Sequence, residues 1–277
     1  MSATENARRL PIPAAPWTRL PAGVPSLRGA YRVWQRNRDT FLRLWRTDLW
    51  PPFLEAVMNL VAFGFGIGGY VQQAVEGLPY LQYVAPGIVL VSGMFSAFFE
   101  CTFGAFIRMQ FQKTYEAIIA TPVNIEDVIT GEVLWGATRA VTTATSVLLV
   151  LAVLGLTPSP WALLVPLVVL LFGGVMSALA MIATTVVPSI NSFSYFLTLG
   201  LTPMWLFSGV FFSVDRLPDT VRWVPWLSPL YHAVQIGRGL TVGRLSPDML
   251  GDALWLLVVG ICAFAVAVIL GRRRMIT

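Results

Sequence analysis

The chain has 277 residues, of which 56% are hydrophobic and only 12% charged, and its formal net charge is +5. Soluble globular domains carry about a quarter charged residues, so this balance excludes an ordinary soluble enzyme or binding domain and points to an all-α integral membrane protein. Its two cysteines, Cys101 and Cys262, both lie in apolar runs, which speaks against a disulfide framework or a cysteine metal centre and for small core residues.

In chain order, residues 1–25 contain Pro11, Pro13, Pro16, Pro21 and Pro25 and no apolar run long enough for a signal-peptide core. They read as an extended, disordered, proline-rich leader. Residues 26–52 interleave arginines with aromatic and aliphatic residues. Trp34, Phe41, Trp45 and Leu49 recur at helical spacing, which sets an apolar face against a basic one, the pattern of an amphipathic helix lying among lipid headgroups; a solvated basic leader is the other reading. Residues 53–277 form the transmembrane domain. Six stretches there approach the roughly 20 apolar residues that cross a bilayer core: 53–72, 84–106, 139–156, 161–184, 191–212 and 250–271.

Cytoplasmic loops carry the excess of Lys and Arg. With the N-terminus inside, all 19 basic residues except Arg216, Arg222, Arg238 and Arg244 fall on the inner side, so both termini are expected in the cytoplasm. The closing run Arg272, Arg273 and Arg274 then anchors the last span at the inner face.

Two segments do not read as spans. In the inner loop 107–138, "KTYEAIIA" has helical periodicity and Pro122 stops it. Asn124 then caps a new helix with Glu126 and Asp127 in its first turn, leading into the third span. The short helix, with Tyr115, Ile118 and Ile119 between charges, suits a partner's groove or else caps its own bundle. The outer segment 213–249 is too polar and proline-broken to cross. Yet Phe211, Phe212, Trp223, Trp226, Leu230 and Tyr231 are poorly suited to a free loop, which predicts a re-entrant hairpin of two short amphipathic helices dipping into the outer leaflet over an exit.

Ionisable groups inside spans attract a functional reading. Glu100 either pairs with Arg108 or Arg139 as a structural tie or lines a polar pathway, and Glu55 sits near the inner end of the first span. Gly64 and Gly68 have helix-packing spacing, which allows close contact across a dimer. Catalytic constellations are missing: the only lysine, Lys113, has no glycine-rich phosphate loop before it, and the single histidine, His232, cannot form a paired-histidine zinc site. A lipid-modifying membrane enzyme would have to use Asp215, Asp219 and His232 at the outer face.

The stretches "SGVFFSVDRLPDTVRWVPWLSPLYHAVQIGRGL", "YVAPGIVLVSGMFSAFFE" and "KTYEAIIATPVNIEDVITGEVLWG" resemble, in this order of place in the family, the segment after the fifth span, the second-span opening and the cytoplasmic loop of permeases of type-2 ABC exporters. The resemblance covers residues 28–277. "SGVFF", "PLYH" and "RGL" look most like the nodulation-factor exporter branch, which moves lipo-chitooligosaccharides. It implies a homodimer in a bacterial inner membrane, docked on two copies of a separate ABC ATPase that binds ATP and Mg, with no cofactor in this chain and no nucleic-acid partner. The loop helix would be the coupling helix, making Tyr115, Glu116, Ile118, Pro122, Ile125 and Glu126 ATPase-coupling candidates. Glu100, Phe211, Phe212, Trp226, Tyr231 and His232 are candidates for pathway or gate. The cargo implied is an amphiphile such as a glycolipid or lipo-oligosaccharide, with polysaccharide or hydrophobic drug as alternatives.

Overall fold

The computed structural model describes residues 25–62, 66 and 74–276. The leader therefore lies outside the described residues up to position 24, as does most of the second half of the first expected span.

Helix α1 (Leu27–Val61) starts at Ser26, whose hydroxyl accepts from the Gly29 amide. It runs without interruption across the expected boundary at residue 52, through Pro51 and Pro52, so the amphipathic stretch and the start of the first span are one rod. Its apolar face is not wholly left for lipid. Ala30 and Val33 are buried against Gly131, Trp34 donates to Thr138 Oγ1 at 2.9 Å, and Phe41 meets the Trp135 ring edge at 5.8 Å. Any side chain at Gly131 would collide with Val33 and the Ala30 carbonyl, so the glycine sets the distance between the two helices.

Helix α2 (Tyr80–Phe111) is a long rod whose inner half contains two π-helical turns, Glu100–Gly104 and Ile107–Phe111. Lys113, in the left-handed conformation with φ 53°, turns the chain into α3 (Thr114–Ile119). Helix α4 (Ile125–Val153) begins at Asn124 with a capping box closed by Asp127 and continues from the loop into the bilayer-spanning run. Helix α5 (Val165–Val186) follows a 3₁₀ turn at Pro160–Leu164. Residues 190–207, here α6, are helical but composite: a 3₁₀ turn, a short α segment, a π turn at Leu197–Leu201 and a last α segment at Thr202–Phe207. Helix α7 (Pro229–Val242) and helix α8 (Asp248–Ile276) complete the chain.

Four helices among the described residues are long and apolar enough to cross a membrane: Tyr80–Phe111, Ile125–Val153, Pro160–Val186 and Asp248–Met275. They correspond to the expected spans 84–106, 139–156, 161–184 and 250–271. Helix α4 is central, packed on α1, α2 and α5; α5 also carries α8, and α7 closes the end away from α3, the outer end of the expected topology, against α2, α5 and α8. Met94, Phe172, Met176, Met181 and Leu151 fill the space between them. Where α2, α4 and α5 cross, Gly136 lies so close to Cys101 and Ser177 that no Cβ would fit. Cys101 is thus a core residue as expected. Cys262 is not, because it lies on the exposed face of α8, the least covered of the four long helices.

The segment 213–249 differs from the expected pair of helices. Pro218, Pro225 and Pro229 break its first half into turns, with 3₁₀ turns at Val214–Arg216 and Pro225–Leu227, because proline lacks the amide that a longer helix needs. Only α7 is a full helix, and it is buried along most of its length rather than amphipathic on a surface.

Candidate functional site

Two polar constellations stand out, one at each end of the bundle. At the inner end, the Arg108 side chain reaches back toward the N-terminus of α2, as helical side chains do. Nη1 meets Glu100 Oε1 at 2.8 Å, and Nε and Nη2 grip the two oxygens of Glu132 at 3.2 and 2.6 Å. Arg139 Nε lies 3.4 Å from the second oxygen of Glu100. The set holds two guanidinium groups and two carboxylates, so the cluster is charge-balanced, the condition under which buried charges are tolerated. Glu132 is fully buried; sequence reasoning missed it because "GEVLW" read as the end of a loop.

Helix α3 plugs into this cluster from below. Tyr115 and Ile119 face inward and are buried, while Glu116 is exposed and bonded to Lys113 at 2.8 Å. The Tyr115 hydroxyl is buried beside Glu132 without a well-formed hydrogen bond. Burial, and then the Glu132 charge, push its pKa well above the ordinary phenol range, so it stays protonated. Of the other coupling candidates, Ile118 is half-buried and Pro122 exposed, whereas Ile125 and Glu126 are buried. Glu126 pairs with Arg272 of α8 at 3.1 Å, and Arg274 donates to the carbonyls of Thr184 and Val187 at the end of α5. Asp127, besides capping α4, accepts from the amide and hydroxyl of Ser26 and so pins the start of α1. The starts of α1 and α4 and the ends of α2, α5 and α8 are therefore tied around α3.

At the outer end, Arg238 of α7 is buried over the Tyr83 ring, 3.7 Å from its centroid. It donates to the Gly209 carbonyl at 2.7 Å and the Tyr83 carbonyl at 3.3 Å, and the Tyr83 hydroxyl donates to the same Gly209 oxygen at 3.0 Å. Gly209, at φ +72°, is the left-handed bend where α6 gives way to the outer segment. His232, fully buried, faces an acceptor at each ring nitrogen: Asp252 Oδ1 at 2.6 Å from Nδ1 and the Trp226 carbonyl at 2.9 Å from Nε2. A hydrogen on Nε2 serves the Trp226 carbonyl, and the Nδ1–Asp252 contact is a hydrogen bond whichever of the two carries the proton. The imidazole stacks on Trp255 at 4.1 Å and meets Trp226 and Tyr231 edge-on.

Beside these residues opens a cavity of about 620 Å³ lined by Trp226, Tyr231, Gln235, Arg238, Arg244 and Asp248 among others. Trp226 is exposed and Tyr231 half-buried at its wall; Phe211 and Phe212 are half-buried, with Phe211 against Trp205. The histidine's carboxylate partner is Asp252, not Asp215 or Asp219, and Asp219 is spent on exposed Arg222. The packing pair Gly64 and Gly68 lies outside the described residues, and nothing is described of the Glu55 side chain. Asp252, Trp255 and Tyr83 went unnoticed in the sequence because each matters only through a partner distant along the chain.

A model of the ABC-2 type transporter family matches residues 30–241. Nodulation protein J of Sinorhizobium fredii is 33% identical over 255 residues, covering 92% of this chain and 91% of that protein. Nodulation protein J of Rhizobium meliloti is 34% identical over 211 residues, 76% of this chain and 80% of that protein. The inner membrane transport permease YadH of Escherichia coli is 25% identical over 235 residues, 84% of this chain and 90% of that protein.

Proposed function

The chain belongs to the ABC-2 type transporter family, and from that premise we propose that it is the membrane-spanning subunit of an ATP-driven exporter. Two copies would pair, each docked on a separate ABC ATPase subunit that binds ATP and Mg. On this reading α1 and α6 complete six spans in a bacterial inner membrane, both termini are cytoplasmic, and the segment 213–249 is a re-entrant cap. The repeated likeness to nodulation protein J supports an amphiphilic cargo such as a lipo-oligosaccharide.

The observation that carries the reading is the seat of α3: an exposed short helix whose buried Tyr115 abuts the Arg108–Glu132 ion pair joining α2 to α4. A push on its exposed side, at Glu116, Ile118 and Pro122, would reach two long helices without any chemistry in this chain. Tyr115, Ile125 and Glu126 would hold the helix in place instead of touching the ATPase. Glu100 then serves as a tie within the cluster, and Phe211, Phe212, Trp226, Tyr231 and His232 belong to the outer gate.

The test is to purify the chain with its ATPase and measure ATP hydrolysis and export together. Glu116→Arg or Ile118→Arg should leave membrane insertion intact while hydrolysis no longer drives export. Normal export in both variants would reject the coupling role.

A further inference from the structure

We propose that the groove between the start of α1 and α3 is a binding site for the phosphate headgroup of an anionic phospholipid. The groove measures about 530 Å³. Arg28, Arg32 and Arg36 all line it, spaced four residues apart on one face of α1. Like charges at that spacing destabilise a helix unless something anionic joins them.

Elsewhere the chain gives several arginines a carboxylate: Arg38 has Asp39, Arg108 has Glu100 and Glu132, Arg272 has Glu126. Among the described residues neither Arg28 nor Arg32 has such a partner. Arg36 hydrogen-bonds only the Asn37 amide oxygen at 3.4 Å; burial, which strips water from its charge, lowers its pKa, although the Glu132 charge, already held by Arg108, opposes this. A phosphate lying along the stripe would take charge-assisted, two-pronged hydrogen bonds from these guanidinium groups.

The opposite wall decides for a lipid over an acidic peptide. Ile118, Pro122 and Val123 give that wall a carbon surface, which suits a glycerol backbone and the first acyl carbons. Next to Arg28 and Arg32 in the chain, α1 also exposes Leu27 and Tyr31, 85% and 52% accessible, apolar surface that an acidic peptide would leave in water. The headgroup would thus sit directly against α3, and the lipid around the chain would set how firmly that helix is held. Ile118 and Pro122, which the transport reading gives to the ATPase, also wall the groove, so lipid and ATPase would share that side of α3, while lipid binding itself needs the chain alone.

The experiment titrates the full-length purified chain with short-chain phosphatidylglycerol, phosphatidylcholine of the same chain length and inorganic phosphate, reading bound lipid by native mass spectrometry. Phosphatidylglycerol should bind more tightly than phosphatidylcholine. The double variant R28Q/R32Q should weaken its binding about thirtyfold, about fivefold per arginine near a headgroup, while phosphatidylcholine binding stays put. R28K/R32K should retain most of the affinity, and an unchanged melting temperature checks that R28Q/R32Q is folded. An equal loss in R43Q, an exposed arginine of α1 away from the groove, would reduce the effect to diffuse attraction and overturn the site. So would equal affinity for the two lipids, displacement by inorganic phosphate at matching concentrations, or phosphatidylglycerol binding unchanged in R28Q/R32Q.

Discussion

The two ends of the bundle use charge differently. At the inner end, charged side chains mostly meet each other across regular helices, as in Arg108 with Glu100 and Glu132 and Arg272 with Glu126. At the outer end charged pairs remain, His232 with Asp252 and Arg238 within 4.0 Å of Glu76, but the same side chains also hold backbone carbonyls: Arg238 takes those of Gly209 and Tyr83, His232 that of Trp226, Arg244 that of Glu76. Pairs between helices lock rigid bodies in register, while side chains bonded to loop carbonyls keep an irregular, proline-broken segment in one shape. On the proposed reading, the first arrangement would pass on a displacement and the second would be reshaped by one.

The contrast can be broken by substitution. Glu132→Ala removes the buried partner of Arg108 and should cost about 3–5 kcal/mol, the usual penalty for leaving a buried charge uncompensated; thermal unfolding in detergent reads it. A loss below about 1 kcal/mol would mean that the inner cluster is as loose as a surface ion pair. Arg238→Gln should cost about 1.5–3 kcal/mol, the range for a hydrogen bond to a charged group, and should make residues 208–228 newly sensitive to protease added from the side they face. Unchanged proteolysis would remove the pinning role of the outer arginine.

Tyr115→Phe sharpens the comparison from the other side. Its hydroxyl is buried without a well-formed hydrogen bond, so deleting it should raise stability by about 1–3 kcal/mol, the desolvation penalty it relieves, with ATP-driven export unchanged. Tyr115→Ala, which removes the buried ring, should cost about 3–5 kcal/mol and uncouple export. The smallest effect belongs to Glu116→Gln: its pair with Lys113 is solvent-exposed and contributes about 0–1 kcal/mol, so the variant should melt with the wild type.

The apolar cores of four long helices were legible because twenty apolar residues in a row have few other uses. Their ends were not, since Tyr80–Phe111 and Ile125–Val153 each extend well past the apolar run into residues whose helicity depends on π turns and a capping box. The Asn124 cap itself was readable, being local. The stretch 191–212 read as a plain span, whereas the helix there covers 190–207 and is a composite, with Asn191, Gly200 and Pro203 in its 3₁₀, π and last α segments. At the sites, Glu100 could be paired with Arg108 from proximity along the chain and with Arg139 from the expected depth of both in the membrane. Glu132, Asp252 and Arg238 instead gain their meaning from partners 20 or more residues away that the topology did not single out. Cys262 was misread because an apolar run does not say which of its faces is turned outward.

The most direct test places a single cysteine at Glu116 in a chain whose Cys262 is replaced by serine and treats sealed inside-out and right-side-out vesicles with a membrane-impermeant maleimide. The account predicts labelling in inside-out vesicles only, and protection when the ATPase subunit is bound. Labelling from the outer face, or labelling indifferent to the bound ATPase, would contradict it.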